Sequence, residues 1–473
     1  MRLNKLKYCI FFIIFHIPIL YPGLKYYGIF DESIFYYVFD LTEKGLIPYK
    51  DYIIHYPPGI PLIANIFFKT NLDFILNHKV FVWIVNLILQ CIIFFLILKN
   101  DLLSKYKFHI FYLLIFYDYI FFLLGSEPFT INLLLIQIVL LFQFNTKIKS
   151  NYVIIFLILS SLIFLRYDRF LIGCLILLIT LLNLSKWSLS SFFKQFLVKY
   201  ILITLFPILI LLLYLYSIDF NLYKSLHYFV TEPFKINRKT QYFNKLGIGN
   251  TIFFISIFLT ILTFYLNKEN INVLIKNNFF LAGIFLVPYA FSYFDLQHAF
   301  PSFFFLTLFI LTENKKIFLK KIFLEKKTSI LFIIFIFVLA GKIFQMKKIH
   351  TNCDKKLNTY VTKFSNYENL YIGSYELSNS LVNIVYLYLL NKNFLPTSKI
   401  ISEEPGLITE CDVQNNQIKN FQAKNSFFIL EDNSQNDLIY EDVCKNTKKY
   451  YDNYLKKIDY CTLNNKRFNI YIN

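Results

Sequence analysis

Apolar residues in this chain come in long, nearly unbroken runs, not in the strict alternation of half-buried strands. The runs over 80–98, 200–216 and 330–344 approach the length needed to cross a hydrocarbon core of roughly 30 Å. Hydropathy along the whole chain predicts helices near 8–22, 79–98, 108–124, 129–144, 152–165, 170–184, 198–216, 250–266, 279–293, 301–312 and 329–345. Several are short for a perpendicular crossing, so re-entrant pieces belong to the expectation.

The pattern changes near residue 347. Beyond it the chain is polar, with strand-like runs at 370–373 and 426–430 and a helix-like stretch at 379–390 between them. Alternating elements of this kind predict a small α/β domain. The expected fold class is an all-α polytopic membrane protein with about eleven transmembrane helices and a small C-terminal α/β extracytoplasmic domain. Residues 1–346 form the expected transmembrane catalytic domain, with an outer loop over 23–78, and 347–473 the soluble domain.

Composition agrees with this pattern. The chain is 56% hydrophobic and only 16% charged, where soluble domains average about a quarter charged residues. The net charge of +18 raises a nucleic-acid reading. The basic residues are scattered between apolar runs, however, and no aromatic-basic platform accompanies them, so no nucleic-acid partner is expected. Residues 1–20 start with Arg2, Lys5 and Lys7 and continue apolar, like a signal peptide. The following Tyr21, Pro22, Gly23, Leu24 and Lys25 offer no small-residue cleavage site, and an uncleaved first helix is expected.

Orientation follows from Lys and Arg. With the N-terminus cytoplasmic and spans alternating, the inner loops hold roughly nineteen cations, six of them lysines within 315–327, against roughly twelve outside. The expected location is the inner (plasma) membrane, multi-pass, with the C-terminal domain extracytoplasmic. Asp31, Glu32, Asp40, Glu43, Asp51, Glu127, Asp168, Asp219, Glu232 and Asp295 all fall outside. Acids contribute little to orientation, so their gathering on one face points to a polar site there. Cys353, Cys411, Cys444 and Cys461 lie in the outer domain, where they form two disulfides in one of three connectivities or stay free. Their spacing suits no zinc site.

The outer loop carries the most chemistry. It places Asp31 and Glu32 side by side after the first helix, then Gly45, Pro48, Tyr49 and Asp51, then His55, Tyr56, Pro57, Pro58 and Gly59. A carboxylate at the membrane face can take the proton of an attacking sugar hydroxyl. The alternative is a pair of solvated acids capping a helix that begins at Ser33. Tyr-Pro-Pro-Gly is a rigid turn that starts a re-entrant or surface helix. His55 either reaches the site or is structural.

Asp-Glu, then Gly-x-x-Pro-Tyr-x-Asp, then Tyr-Pro-Pro-Gly resembles the GT-C glycosyltransferase superfamily, most closely its protein O-mannosyltransferases and bacterial aminoarabinose transferases. Ser126-Glu127-Pro128 is similar to that family's acidic second outer loop, and Asp295-x-x-His298-x-x-Pro301 to the motif before a late helix. The resemblance implies an inverting transfer of a sugar from a polyprenyl-phosphate donor to a lipid, glycan or protein acceptor at the outer membrane face. It implies Asp31 as general base and Glu32 as its assistant or as a metal ligand. Tyr56, Glu127 and His298 join the substrate site on the same ground. Some relatives use a divalent metal and others do not; Glu32 and His298 are the ligands such a metal would take here. The Arg that often precedes the late motif is absent.

A departing lipid phosphate needs cations. Of five arginines, Arg166, Arg169 and Arg238 are expected near the outer face, and Arg binds phosphate in a bidentate way that Lys does not. The competing reading of Arg166-Tyr167-Asp168-Arg169 is a salt-bridged turn at headgroup level. Lys235, Arg238 and Lys239 read otherwise as a solvated loop. Asp118 sits within a predicted span, as a functional acid or a tyrosine-bonded packing group. His16 and Pro18 mark a kink in the first helix. The rival functions are a transporter or lipid flippase, for which no internal repeat is visible, and an O-antigen polymerase or ligase, which carries a longer late outer loop.

Overall fold

The computed structural model describes most of residues 37–52, 57–59, 74–99, 129–142, 148–218, 271–288, 296–313, 352–375, 394–399, 411–432, 444–463 and 466–473, with single positions elsewhere. The chain divides into two compact units. One takes in Met1–Tyr26, Lys79–Leu211 and Thr240–Met346; the other takes in Tyr27–His78, Leu212–Lys239 and Lys347–Asn473.

The first unit is helical where it is described. Its helices, some running past its borders, are α1 (Phe74–Lys99), α2 (Phe129–Phe142), α3 (Ile148–Leu165), α4 (Tyr167–Leu184), α5 (Leu189–Gln195), α6 (Leu197–Ser217), α7 (Ile271–Lys276), α8 (Asn278–Phe285) and α9 (Leu296–Glu313). Helix α2 is its centre: Ile131, Leu134, Leu135, Ile138 and Val139 are all buried. Gly173 on α4 lets α2 come close. The Gln137 amide donates to the Gly173 carbonyl at 2.8 Å, and a Cβ at 173 would lie 2.7 Å from Gln137 Oε1 and 2.8 Å from Leu159. Asn277 caps α8, its side chain accepting from the N–H groups of Phe279 and Phe280. Thr180 Oγ1 ties α4 to α8 by donating to Asn278 Oδ1 at 3.0 Å.

The outward faces of several helices are apolar. Ile84, Ile88, Ile92 and Phe95 form an exposed stripe on α1, and Val153, Ile154 and Leu157 one on α3. On α6, Val198, Leu202, Leu205, Phe206, Leu209 and Leu213 are all exposed.

The expectation of an all-α polytopic fold with about eleven spans does not hold. Among the described residues two helices, Tyr167–Leu184 and Leu197–Ser217, are long and apolar enough to cross a membrane. The stretches Ile84–Lys99, Thr130–Leu141, Asn151–Leu165 and Phe300–Ile310 are apolar but shorter, and a five-stranded mixed sheet is present. Hydropathy cannot separate residues buried in lipid from residues buried in protein. Apolar runs of about 10–14 residues are more often core helices, and α2 is one. The expected spans at 8–22 and 329–345, and the helix at 379–390, lie outside the described residues.

The second unit carries α10 (Cys353–Val361), α11 (Cys411–Ala423) and α12 (Asn446–Tyr454), with β1 (Asn369–Ser374), β2 (Leu395–Pro396), β3 (Ser426–Glu431), β4 (Lys456–Leu463) and β5 (Lys466–Ile472). The sheet order is β2-β1-β3-β5-β4; β1 runs parallel to β2 and β3, while β5 is antiparallel to β3 and β4. Strands β1 and β3 lie on the aromatic and branched runs 370–373 and 426–430. Successive side chains of β3 serve opposite faces. Phe428 packs with Tyr371, Phe421 and Tyr451, and Phe427 with Phe364, Tyr367 and Phe394. Disulfides Cys353–Cys461 and Cys411–Cys444 tie α10 to β4 and the start of α11 to the segment just before α12. Lys445 makes no side-chain cap for α12. Gln414 of α11 does that work, accepting from Asn446 N at 2.8 Å and Thr447 N at 3.2 Å.

Candidate functional site

The loop that carries the acid pair belongs to the sheet-bearing unit. Its described part is a tightly bonded turn. Tyr37, Val38 and Leu41 are buried on a short helical stretch that ends at Gly45, whose φ of +85° suits a residue without Cβ. The Gly45 and Leu46 N–H groups bond back to Thr42 and Leu41 carbonyls. Pro48 and Tyr52 form a bridge, and Tyr49 N donates to the Tyr52 carbonyl at 2.7 Å. Asp51 Oδ2 accepts from the Ile47 N–H at 2.8 Å, an Asx-type closure across the turn. Thr42 Oγ1 and the Tyr52 hydroxyl share a buried 2.8 Å bond. Burial pushes the Tyr52 phenol well above its ordinary range, outweighing that bond, so it stays neutral.

The Gly-x-x-Pro-Tyr-x-Asp piece is thus a scaffold. Its carboxylate, Asp51, is engaged with the backbone and its glycine is needed for its angle. Downstream, Pro57, Pro58 and Gly59 are buried, and Leu62 N bonds to the Pro58 carbonyl at 3.2 Å. Pro57, Pro58 and Gly59 therefore open a helical turn, with proline in the first-turn position that it tolerates. Asp31, Glu32 and Tyr56 lie outside the described residues, as do His55, Asp118, Glu127, Arg238 and Asp295. His298 lies on the backbone of α9.

The turn is tied into its own unit at two points. The Tyr214 hydroxyl, near the C-terminal end of α6, donates to the Pro48 carbonyl at 3.3 Å. Lys399 Nζ, just beyond β2, donates to the Lys50 carbonyl at 3.0 Å. Neither partner stands out in the sequence, because each is remote from the loop along the chain.

Arg166, Asp168 and Arg169 come together in the helical unit. Arg166 is the N-cap of α4 and Asp168 lies in its first turn, where the helix dipole favours an anion. Arg169 Nη1 meets Asp168 Oδ2 at 2.8 Å and Arg166 Nε meets Asp168 Oδ1 at 3.3 Å; Arg169 is buried. Two guanidinium groups therefore hold one carboxylate. A phosphate at this turn would compete with Asp168 for both.

Buried carboxamides in the helical unit were not singled out by the sequence pattern. Asn132 of α2 donates to Asn86 Oδ1 of α1, and Gln90, one turn along α1, is fully buried with neither amide atom bonded among the described residues. Their signal was a polar residue interrupting an apolar run. Among the described residues no group of three or more His, Cys, Asp or Glu side chains could hold a metal ion. No family model matches the chain, and neither a curated protein nor a solved structure matches it.

Proposed function

We propose that this chain is a membrane-bound inverting glycosyltransferase that moves a sugar from a polyprenyl-phosphate donor to a lipid, glycan or protein acceptor on the outer membrane face. The reading rests on one observation: Asp31-Glu32, Gly45-x-x-Pro48-Tyr49-x-Asp51 and Tyr56-Pro57-Pro58-Gly59 follow in that order within about thirty residues. Asp51 and Gly45 hold the turn and Asp40 is paired with Lys44; the chemistry is assigned to Asp31 and Glu32 on the motif order alone.

In the proposed step the acceptor hydroxyl attacks the anomeric carbon opposite the phosphate, and the Asp31 carboxylate takes its proton. The new glycosidic C–O bond forms as the bond to phosphate breaks, with inversion, and polyprenyl phosphate leaves. Glu32 orients the acceptor or binds a divalent ion. The departing charge needs cations, for which the chain offers Arg166, Arg169, Arg238 and His298; Tyr56 and Glu127 would contact the sugar.

Membrane placement draws on the exposed apolar faces of α1, α3 and α6, which exceed what a water-facing monomer shows. Two disulfides in the sheet unit favour an oxidising, extracytoplasmic compartment for it. A transporter is the second reading, favoured by the buried Asn86–Asn132 pair and the unbonded Gln90.

The test is to incubate the purified full chain with a panel of polyprenyl-phosphate sugars and assay free polyprenyl phosphate. Release that falls about 100-fold or more in Asp31→Asn, at unchanged expression, is the expected result. Undiminished release in that variant removes the assigned base. No release from any donor, with substrate flux that Gln90→Leu abolishes, favours the transporter.

A further inference from the structure

One edge of the sheet-bearing unit combines exposed apolar side chains with three lysines. In the acid-loop turn Ile47 and Lys50 are exposed, and Lys50 N bonds to the Ile47 carbonyl at 3.2 Å. The Lys50 carbonyl accepts from Lys399 Nζ at 3.0 Å. Leu395, on the edge strand β2, is exposed too. Lys424 Nζ donates to the carbonyls of Pro396 and Thr397, both at 3.3 Å, which brings it alongside β2. Among the described residues none of Lys50, Lys399 and Lys424 forms an ion pair with a carboxylate. The nearby Asp51 carboxylate is bonded to the Ile47 N–H; among the described residues Glu368, whose carbonyl accepts from Leu395 N, is a second acid near the patch.

Lys399 and Lys424 both bond into this edge, and like charges brought near one another are destabilising unless an anion joins them. Partial burial, and secondarily the charge on Lys399, hold the Lys424 ammonium below its ordinary value. The patch also has an address. Pro48, in the same turn, accepts from Tyr214 at the end of α6, where Leu213 and Tyr216 are largely exposed. Helix α6 is one of the two long enough to cross a membrane. Tyrosines at the end of such a helix belong at headgroup level, and the lysine patch is bonded to that level.

We propose that Ile47 and Leu395, with Lys50, Lys399 and Lys424, form a surface that docks on the anionic headgroups of the bilayer. The lysine ammonium groups meet lipid phosphates while their alkyl stems, with the two aliphatic side chains, enter the headgroup–acyl boundary. The proposal rests on the membrane reading of α6 but not on the transfer chemistry. It assigns the turn that follows Asp31 and Glu32 in the sequence a lipid contact, with each lysine contributing on the order of five-fold to the docking equilibrium near an anionic surface.

The full chain in nanodiscs supplies the test, with amide exchange read at the 45–52 and 395–399 segments. Discs of phosphatidylcholine alone are compared with discs containing phosphatidylglycerol. Exchange there is expected to slow several-fold with phosphatidylglycerol, to recover at high salt, and to lose the lipid effect in the Lys50→Gln/Lys399→Gln double variant. That variant leaves the Lys424 bonds to Pro396 and Thr397 in place, and Lys399→Arg should retain the effect. Lys456→Gln/Lys457→Gln, at the opposite edge strand β4, should change nothing. Equal exchange in the two lipids overturns the proposal. So does equal slowing by inorganic phosphate over phosphatidylcholine discs, which would mark an anion pocket instead of a surface. A chain that fails to enter discs at all defeats the membrane reading and this surface together, whereas failure of donor turnover leaves the exchange result standing.

Discussion

The two units solve opposite problems of solvation. In the helical unit, apolar side chains lie on both sides of its helices: α2 is buried among neighbours, while α1, α3 and α6 turn Ile, Leu, Val and Phe outward. Its specific contacts are close backbone approach at Gly173 and carboxamide bonds in the interior. The sheet unit has an aromatic core of Tyr371, Phe421, Phe428, Tyr450 and Tyr451, a charged exterior and two disulfides. One unit leaves apolar side chains exposed along three of its helices. The other needs water outside and covalent closure.

Both tryptophans, Trp83 and Trp187, lie in the helical unit, so indole fluorescence reports that unit alone and can separate the two. The largest contrast should come from Cys353→Ser/Cys461→Ser. Closing a loop of 108 residues stabilises by about 4 to 5 kcal/mol in the chain-entropy account. The variant should lower the stability of the sheet unit, seen as faster amide exchange in β1 and β3, and leave the indole transition in place. A matching loss in the indole signal would show that the units do not unfold separately.

Gly173→Val should act the other way round. Its branched side chain meets Gln137 and Leu159 where a Cβ alone already comes within 2.8 Å, and overpacking of that kind costs about 1–3 kcal/mol. The indole midpoint should fall while amide exchange in β1 and β3 holds. Gln414→Ala removes the acceptor for two N–H groups at the start of α12. A lost cap costs about 1 kcal/mol, and amide exchange across Asn446–Tyr454 should quicken with the helical unit unaffected.

The smallest effect is electrostatic. Burial raises the Asp459 carboxyl, but the Tyr460 N–H, the Lys356 ammonium and the Tyr360 hydroxyl outweigh it and hold it below its ordinary value. A carboxyl lowered in the folded state adds stability above its unfolded value and loses it as pH falls through the folded one. The pair is largely solvent-screened, so the sheet unit should lose well under about 1 kcal/mol on acidification. Asp459→Asn should flatten that part of its pH profile; an unchanged profile would assign the acid sensitivity to other groups.

Legibility differed between the units for the same reason. Strands β1 and β3 were readable because three or four consecutive aromatic and branched residues between polar or small flanks have few other uses. The apolar helical segments were readable as helices, but not as spans: the burial of α2 in protein is indistinguishable by hydropathy from burial in lipid. In the outer loop the sequence marked Gly45, Pro48, Tyr49 and Asp51 as a motif without separating scaffold from chemistry. The bond from Asp51 to the Ile47 N–H makes that separation for one of its acids.

Local pattern therefore determined the main apolar helices, two of the strands, the turn-forming residues and the concentration of acids in one loop, while α10, α11 and α12 of the sheet unit were not read from it. These depend on periodicity and backbone preference over a few residues. Disulfide pairing, the count of helices fit to cross a membrane and the joining of Lys50 to Lys399 across 349 residues of chain were decided only by the folded arrangement. Each depends on which distant segments are brought together, and no window of sequence contains both partners.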